Sequence, residues 1–70
     1  MKKRSVKIAG HASSISMEEE FWAALKALAA RRGLSLNALI TEIDEERTTQ
    51  NLSSAIRIAI LADLQGRENN

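Results

Sequence analysis

Seventy residues with a formal net charge of +1 and no cysteine make one small domain with neither a disulfide nor a thiolate metal site. The single histidine, His11, cannot hold zinc alone, and the longest apolar stretch, Ala55 to Leu64, is interrupted by Arg57 and Asp63 and too short to cross a bilayer. No cofactor and no membrane span are expected. One core of this size rarely supplies more than about 3–5 kcal/mol, so oligomerisation is the expected support. The basic start has no apolar signal-peptide core behind it, which makes the cytoplasm the expected location.

Lys2, Lys3, Arg4 and Lys7 give residues 1–11 a local charge of +4 with no acid among them. Residues 1–4 are read as a basic flexible arm, 5–65 as the folded domain and 66–70 as a frayed tail. A basic segment on a nearly neutral domain is the footprint of phosphate binding, and in a dimer it supplies about eight cationic groups. From Ser5 to Ala9, Val6 and Ile8 alternate with Ser5 and Lys7, as in a half-buried strand. Gly10-His11 interrupts the alternation, which resumes out of phase with Ile15 and Met17 apolar and Ser14 and Ser16 polar. A phase change at glycine means either a bulge in one long strand or a turn that ends the first strand. Both remain open from the sequence. A single strand leaves backbone groups unpaired, and nothing after Ile15 reads as another strand. The pairing partner is therefore the N-terminal segment or a second copy of the chain.

A first helix is expected from near Ser16, where Ser16 and Glu19 have capping-box spacing and Glu18, Glu19 and Glu20 cluster at the positive dipole end. Met17, Phe21, Leu25, Leu28 and Ala29 form its apolar stripe, with Trp22 as flank packing. Arg31 and Arg32 occupy the last turn, and Gly33 supplies the left-handed stop. Ser35 caps a second helix whose Leu36, Leu39, Ile40 and Ile43 face the core. Thr48, Thr49 and Gln50 weaken it. A third helix follows from Asn51 or Ser53 to Gln65, with Gly66 as its stop. Leu52, Ala55, Ile56, Ile58, Ala59, Ile60, Leu61 and Leu64 leave that helix apolar on most sides. Such a helix is buried on more than one face, which again points to a dimer.

No acid, base and nucleophile converge, so no enzyme is expected. His11 has no acid or nucleophile at an interpretable spacing. Asp44, Glu45 and Glu46 are adjacent on a helix and point in different directions, as on a solvated face.

The order of strand, helix, Gly33-Leu34-Ser35-Leu36-Asn37 and helix resembles the ribbon-helix-helix DNA-binding proteins, to which the Arc and Met repressors belong. The likeness covers residues 12–47. The leader Ser-Val-Lys-Ile-Ala-Gly-His (5–11) and the trailing Asn-Leu-Ser-Ser-Ala-Ile-Arg (51–57) bring it closest to a bacterial branch with a third helix. It implies a mostly α fold with a short β-ribbon, a homodimer, and double-stranded DNA as partner, with higher oligomers possible on DNA. It further implies that an antiparallel ribbon enters the major groove as part of a transcriptional regulator or repressor. Carried over position by position, Ala12, Ser14 and Ser16 face the bases while Ser13, Ile15 and Met17 face inward. Ser35, Leu36 and Asn37 clamp a phosphate at a helix N-terminus, a ready anion site. Lys2, Lys3, Arg4, Lys7 and His11 complete the expected DNA-binding set. Two positions depart from the pattern. Ala12 offers only a methyl group, and Ser16 is a candidate helix cap. If the leader folds back as a second strand, Lys3, Ser5 and Lys7 join the groove-facing surface. The competing reading is a protein-interaction module, antitoxin-like or an oligomeric scaffold, that uses the apolar third helix.

Overall fold

A two-residue turn decides the N-terminal architecture. Ala9 and Gly10 both have positive φ, 51° and 83°, the combination that joins two strands whose twist matches a tight hairpin. Gly10 adopts this freely, whereas Ala9 bears a Cβ cost of roughly 1 kcal/mol. Strand β1 (Lys2–Ile8) therefore folds back antiparallel on strand β2 (His11–Met17), in register from Lys2 opposite Met17 to Ile8 opposite His11. The computed structural model describes residues 2–48 and 50–68, with Arg67 and Glu68 described through their backbone alone. Met1 of the expected arm, Thr49, and Asn69 and Asn70 of the expected tail lie outside the described residues.

The phase break at Gly10 is thus a turn, and β2 finds its partner within its own chain. Lys2, Lys3 and Arg4, expected as a flexible arm, are strand residues instead, because the ladder opposite Met17, Ser16 and Ile15 satisfies their backbone.

Three helices follow: α1 (Glu19–Arg32), α2 (Leu36–Glu46) and α3 (Leu52–Glu68). Helix α1 begins later than its capping-box spacing suggests. Met17 is the last strand residue and is fully buried, because strand alternation aims it inward together with Ile15. Glu18 is the N-cap residue, with extended backbone and no side-chain cap bond. Its carboxylate is engaged elsewhere, accepting from Arg57 Nε and Nη2 at 3.1 and 2.8 Å. The Ser16 carbonyl accepts from Ser53 Oγ of α3 at 3.2 Å.

The α1 stripe is also rotated from expectation. Trp22, Leu25, Leu28 and Ala29 are buried, whereas Phe21 is only half-buried. Trp22 takes the core position, and the Arg4 guanidinium reaches from β1 to 4.6 Å from its indole centroid. Gly33 ends α1 at φ 68°, and Leu34 N–H returns to the Ala29 carbonyl at 2.9 Å, a glycine stop of the expected kind. Ser35 Oγ accepts from Ala38 N–H at 3.1 Å and opens α2, whose Leu39, Ile40 and Ile43 enter the core.

Asn51 Oδ1 accepts from Ser54 N–H at 3.1 Å at the start of α3. Gly66 does not stop this helix. Its φ is not positive, the property on which a glycine stop depends, and α3 continues to Glu68. Within the chain α3 is buried on one face only, through Ala55, Ile56 and Ile60. Ile58, Leu61 and Leu64 of the opposite face are exposed.

The resulting core packs the inner ribbon face (Val6, Ile15, Met17) against all three helices, with no polar residue buried among those described. Surface ion pairs tie the helices together: Arg32 to Glu42 at 2.8 Å across α1 and α2, and Arg31 to Asp63 across α1 and α3.

Candidate nucleic-acid interface

Antiparallel register places side chains in two rows, since residues directly opposite one another share a face. Lys3 with Ser16, Ser5 with Ser14, and Lys7 with Ala12 form the row turned away from the core. All six are exposed except Ser16, which is intermediate. Arg4 with Ile15 and Val6 with Ser13 form the row turned toward the helices, although Ser13 near the turn is itself exposed. The outward surface is therefore a strip of small groups, two hydroxyls deep at its centre, flanked along β1 by two lysines. The folded-back arrangement of the leader is the one adopted, and it adds Ser5 to the face.

Helix α2 runs beside β1. Lys7 N–H donates to Asn37 Oδ1 and Ala9 N–H to Thr41 Oγ1, each at 3.4 Å. Lys7 N–H thus points away from β2, and in an antiparallel ladder alternate residues share that direction. Ser5, Val6, Lys7, Ala12 and Asn37 line one shallow depression, so the start of α2 and the ribbon surface are continuous. Ser35 Oγ is committed to its cap bond. The first-turn N–H groups of Leu36 and Asn37 have no acceptor among the described residues. These are the orphan donors that give a helix N-terminus its anion affinity.

The cationic leader divides between the two faces. Lys3 and Lys7 are exposed on the outward row, and neither belongs to an ion pair among the described residues. Arg4 lies on the inner row, its side chain 22% exposed, stacked on Trp22 and 3.3 Å from both carboxylate oxygens of Glu19. Its Nε is buried without a partner. Arg4 thus covers the core with its guanidinium. Lys2, opposite Met17, shares the inner row but is exposed at the strand start, and His11 is exposed beside the turn.

Five acids pair with arginines: Glu18 with Arg57, Glu19 with Arg4, Glu42 with Arg32, Asp44 with Arg47, and Asp63 with Arg31. Hydrogen bonding from Arg57 comes first among the causes that hold the Glu18 carboxyl below its ordinary pKa, followed by a backbone hydrogen bond. Among the described residues no three His, Cys, Asp or Glu side chains group as metal ligands, and no helix is long and apolar enough to cross a membrane.

Sequence alternation gives Ser14 and Ser16 as outward, and Ser35 reads as the cap of α2, while the outward place of Ala12 comes from the family resemblance. Charge alone assigned Arg4 to the expected DNA-binding set. Its partner Glu19 lies fifteen residues away, a separation without a local signature.

A family model described as a ribbon-helix-helix domain matches residues 1–64. No curated protein and no solved structure matches the chain. The matched span takes in the hairpin, both helices around Gly33–Ser35 and most of α3, so the chain belongs to the ribbon-helix-helix domain family, whose members are generally DNA-binding transcription regulators.

Proposed function

We propose that this protein is a homodimeric transcriptional regulator, of repressor type, that lays the outward face of its ribbon in the major groove of double-stranded DNA. The observation that carries this reading is the row Lys3/Ser16, Ser5/Ser14, Lys7/Ala12 continuous with the start of α2 at Asn37. Two strands about 4.8 Å apart fit a groove roughly 12 Å wide. Ser5 and Ser14 offer hydroxyls to base edges, and Ala12 offers a methyl group to thymine. Lys3 and Lys7 reach phosphates or guanine, with Lys2 and His11 at the two ends of the hairpin. The free N–H groups of Leu36 and Asn37, held in place by the Ser35 cap, take a backbone phosphate. Serine, alanine and lysine discriminate bases weakly, so sequence choice rests on positioning by phosphates and on higher assembly along DNA. The folded domain, expected over residues 5–65, takes in the whole hairpin from Lys2 and α3 through Glu68, and it acts in the cytoplasm.

The test is titration of a random-sequence duplex at several salt concentrations. Binding that weakens steeply with salt, by about 0.9 log units per phosphate neutralised for each tenfold rise, supports the reading. Absence of binding at low salt rejects it. A second reading, a protein-interaction module, is favoured by one observation, the exposed Ile58, Leu61 and Leu64 of α3. It predicts self-association or partner capture with no salt-sensitive duplex binding.

A further inference from the structure

One edge of β1 is occupied by β2, and the other is held by side chains of a helix. There Asn37 Oδ1 accepts from Lys7 N–H and Thr41 Oγ1 from Ala9 N–H, each at 3.4 Å. Asn37 and Thr41 are four residues apart, about 6 Å along the axis of α2. Lys7 and Ala9 are two residues apart, about 6.8 Å along extended backbone. The two spacings match, so the hairpin is joined to α2 at two successive points. One such bond lets a strand pivot about it, whereas two fix its angle and its slide. The bond from Thr41 falls on Ala9, whose φ of 51° is a conformation that a Cβ disfavours. It therefore secures the turn where the backbone least favours it. The core face of α2 is built by Leu39, Ile40 and Ile43, while Asn37 is exposed and Thr41 half-buried outside it.

We infer that Thr41, together with Asn37, is a positioning residue that holds the ribbon in one register along α2, so that the outward row and the helix start meet a single DNA site together. The inference rests on the regulator reading above and names what carries its sequence choice. The row reads bases weakly through its own groups, and phosphate contacts inform that choice only by fixing where the row lies on the duplex. The phosphate-binding N–H groups belong to α2 and the row belongs to the hairpin, so the choice depends on how firmly the two are joined. Asn37 makes the first joint, from the opening turn of the helix to Lys7 of the row. Thr41, one turn on, stops the hairpin from swinging about that joint. A hairpin free to swing still meets phosphates, but in several registers, and the difference between one site and another is averaged away.

Thr41→Val removes the acceptor and keeps the shape, and Thr41→Ser restores the acceptor. The probes are a random-sequence duplex and a duplex enriched from a random pool by the wild-type protein. No cation is removed, so Thr41→Val should keep wild-type affinity and salt slope on the random duplex. Its preference for the enriched duplex should fall about fivefold, as for the loss of one neutral hydrogen bond, and Thr41→Ser should recover it. Ala9 N–H should exchange faster with solvent in Thr41→Val than in the wild type, with circular dichroism unchanged. Full preference in Thr41→Val, equal loss on both duplexes, or unaltered Ala9 exchange would each overturn the inference. So would a Thr41→Ser protein that behaves as Thr41→Val. The regulator reading fails separately: wild-type protein that binds neither duplex sinks it and the inference with it. Wild-type protein that binds DNA but enriches no sequence overturns the inference and leaves DNA binding standing.

Discussion

Two double substitutions in one strand remove the same formal charge from opposite faces, which makes them a direct test of the ribbon. Lys3→Gln with Lys7→Gln strips the outward row, and Lys2→Gln with Arg4→Gln strips the inner one. In a dimer the outward pair amounts to four cations. If each neutralises one phosphate, the log–log salt slope becomes shallower by about 3.6. Between 50 and 200 mM salt, the wild-type affinity then falls about 150-fold more than that of the variant. Stability should barely move, since both lysines are exposed and outside the ion pairs. The inner pair behaves differently: removing Lys2, exposed at the strand end, shallows the slope by no more than about 1.8 per dimer, and the main effect is on stability through Arg4. Its ion pair is formed with a Glu19 side chain 68% exposed to solvent and contributes close to nothing. The guanidinium over Trp22 contributes about 0.5–1 kcal/mol. Losing about 1 kcal/mol from a domain of this size lowers Tm by about 4–8 °C. Fluorescence anisotropy across a salt series and thermal melts on the same samples provide both readouts. Equal slope changes in the two variants would mean that net charge governs binding and facial geometry does not. An unchanged slope in the Lys3/Lys7 variant would remove the ribbon from the phosphates altogether.

Ser35→Ala should cost about 1 kcal/mol through loss of the bond from Ala38 N–H. Ser35→Glu should stay folded yet bind DNA about tenfold more weakly at low salt, because a carboxylate then sits where a phosphate would; melts and titrations together check both. Ile56→Asp, at a position with no exposure, should abolish folding by circular dichroism, since a lone buried charge has nothing to compensate it. A folded Ile56→Asp protein would show that α3 is peripheral to the core. Glu18 has its pKa lowered by Arg57, so its stabilisation is complete above the unfolded carboxylate pKa of about 4.3 and is lost as pH falls through the lower folded value. Glu18→Gln should therefore flatten the acid limb of a Tm-against-pH curve, and an unaltered limb would place the acid sensitivity elsewhere.

Where a signal sits inside a few residues, the sequence alone was sufficient. Gly33 needs only its own positive φ to end α1, and Ser35 needs only Ala38 N–H to begin α2. The alternation of positions 14 and 16 against 15 and 17 follows from strand geometry. Other outcomes required a second element to be in place. Gly10 was compatible with a bulge or a turn, and the choice fell to whether Val6 could join Ile15 and Met17 on one inner face. Met17 reads equally as the first residue of a helical stripe, until Glu18 is drawn off to Arg57 thirty-nine positions later. Phe21 and Trp22 are one residue apart on an amphipathic helix, and either suits the stripe. The tertiary core selects Trp22, with the Arg4 guanidinium of β1 stacked on its indole. Local conformation is set by backbone chemistry within a turn or a strand pair. Which face of an element is buried depends on what packs over it, and that neighbour is brought in by residues far away in the chain.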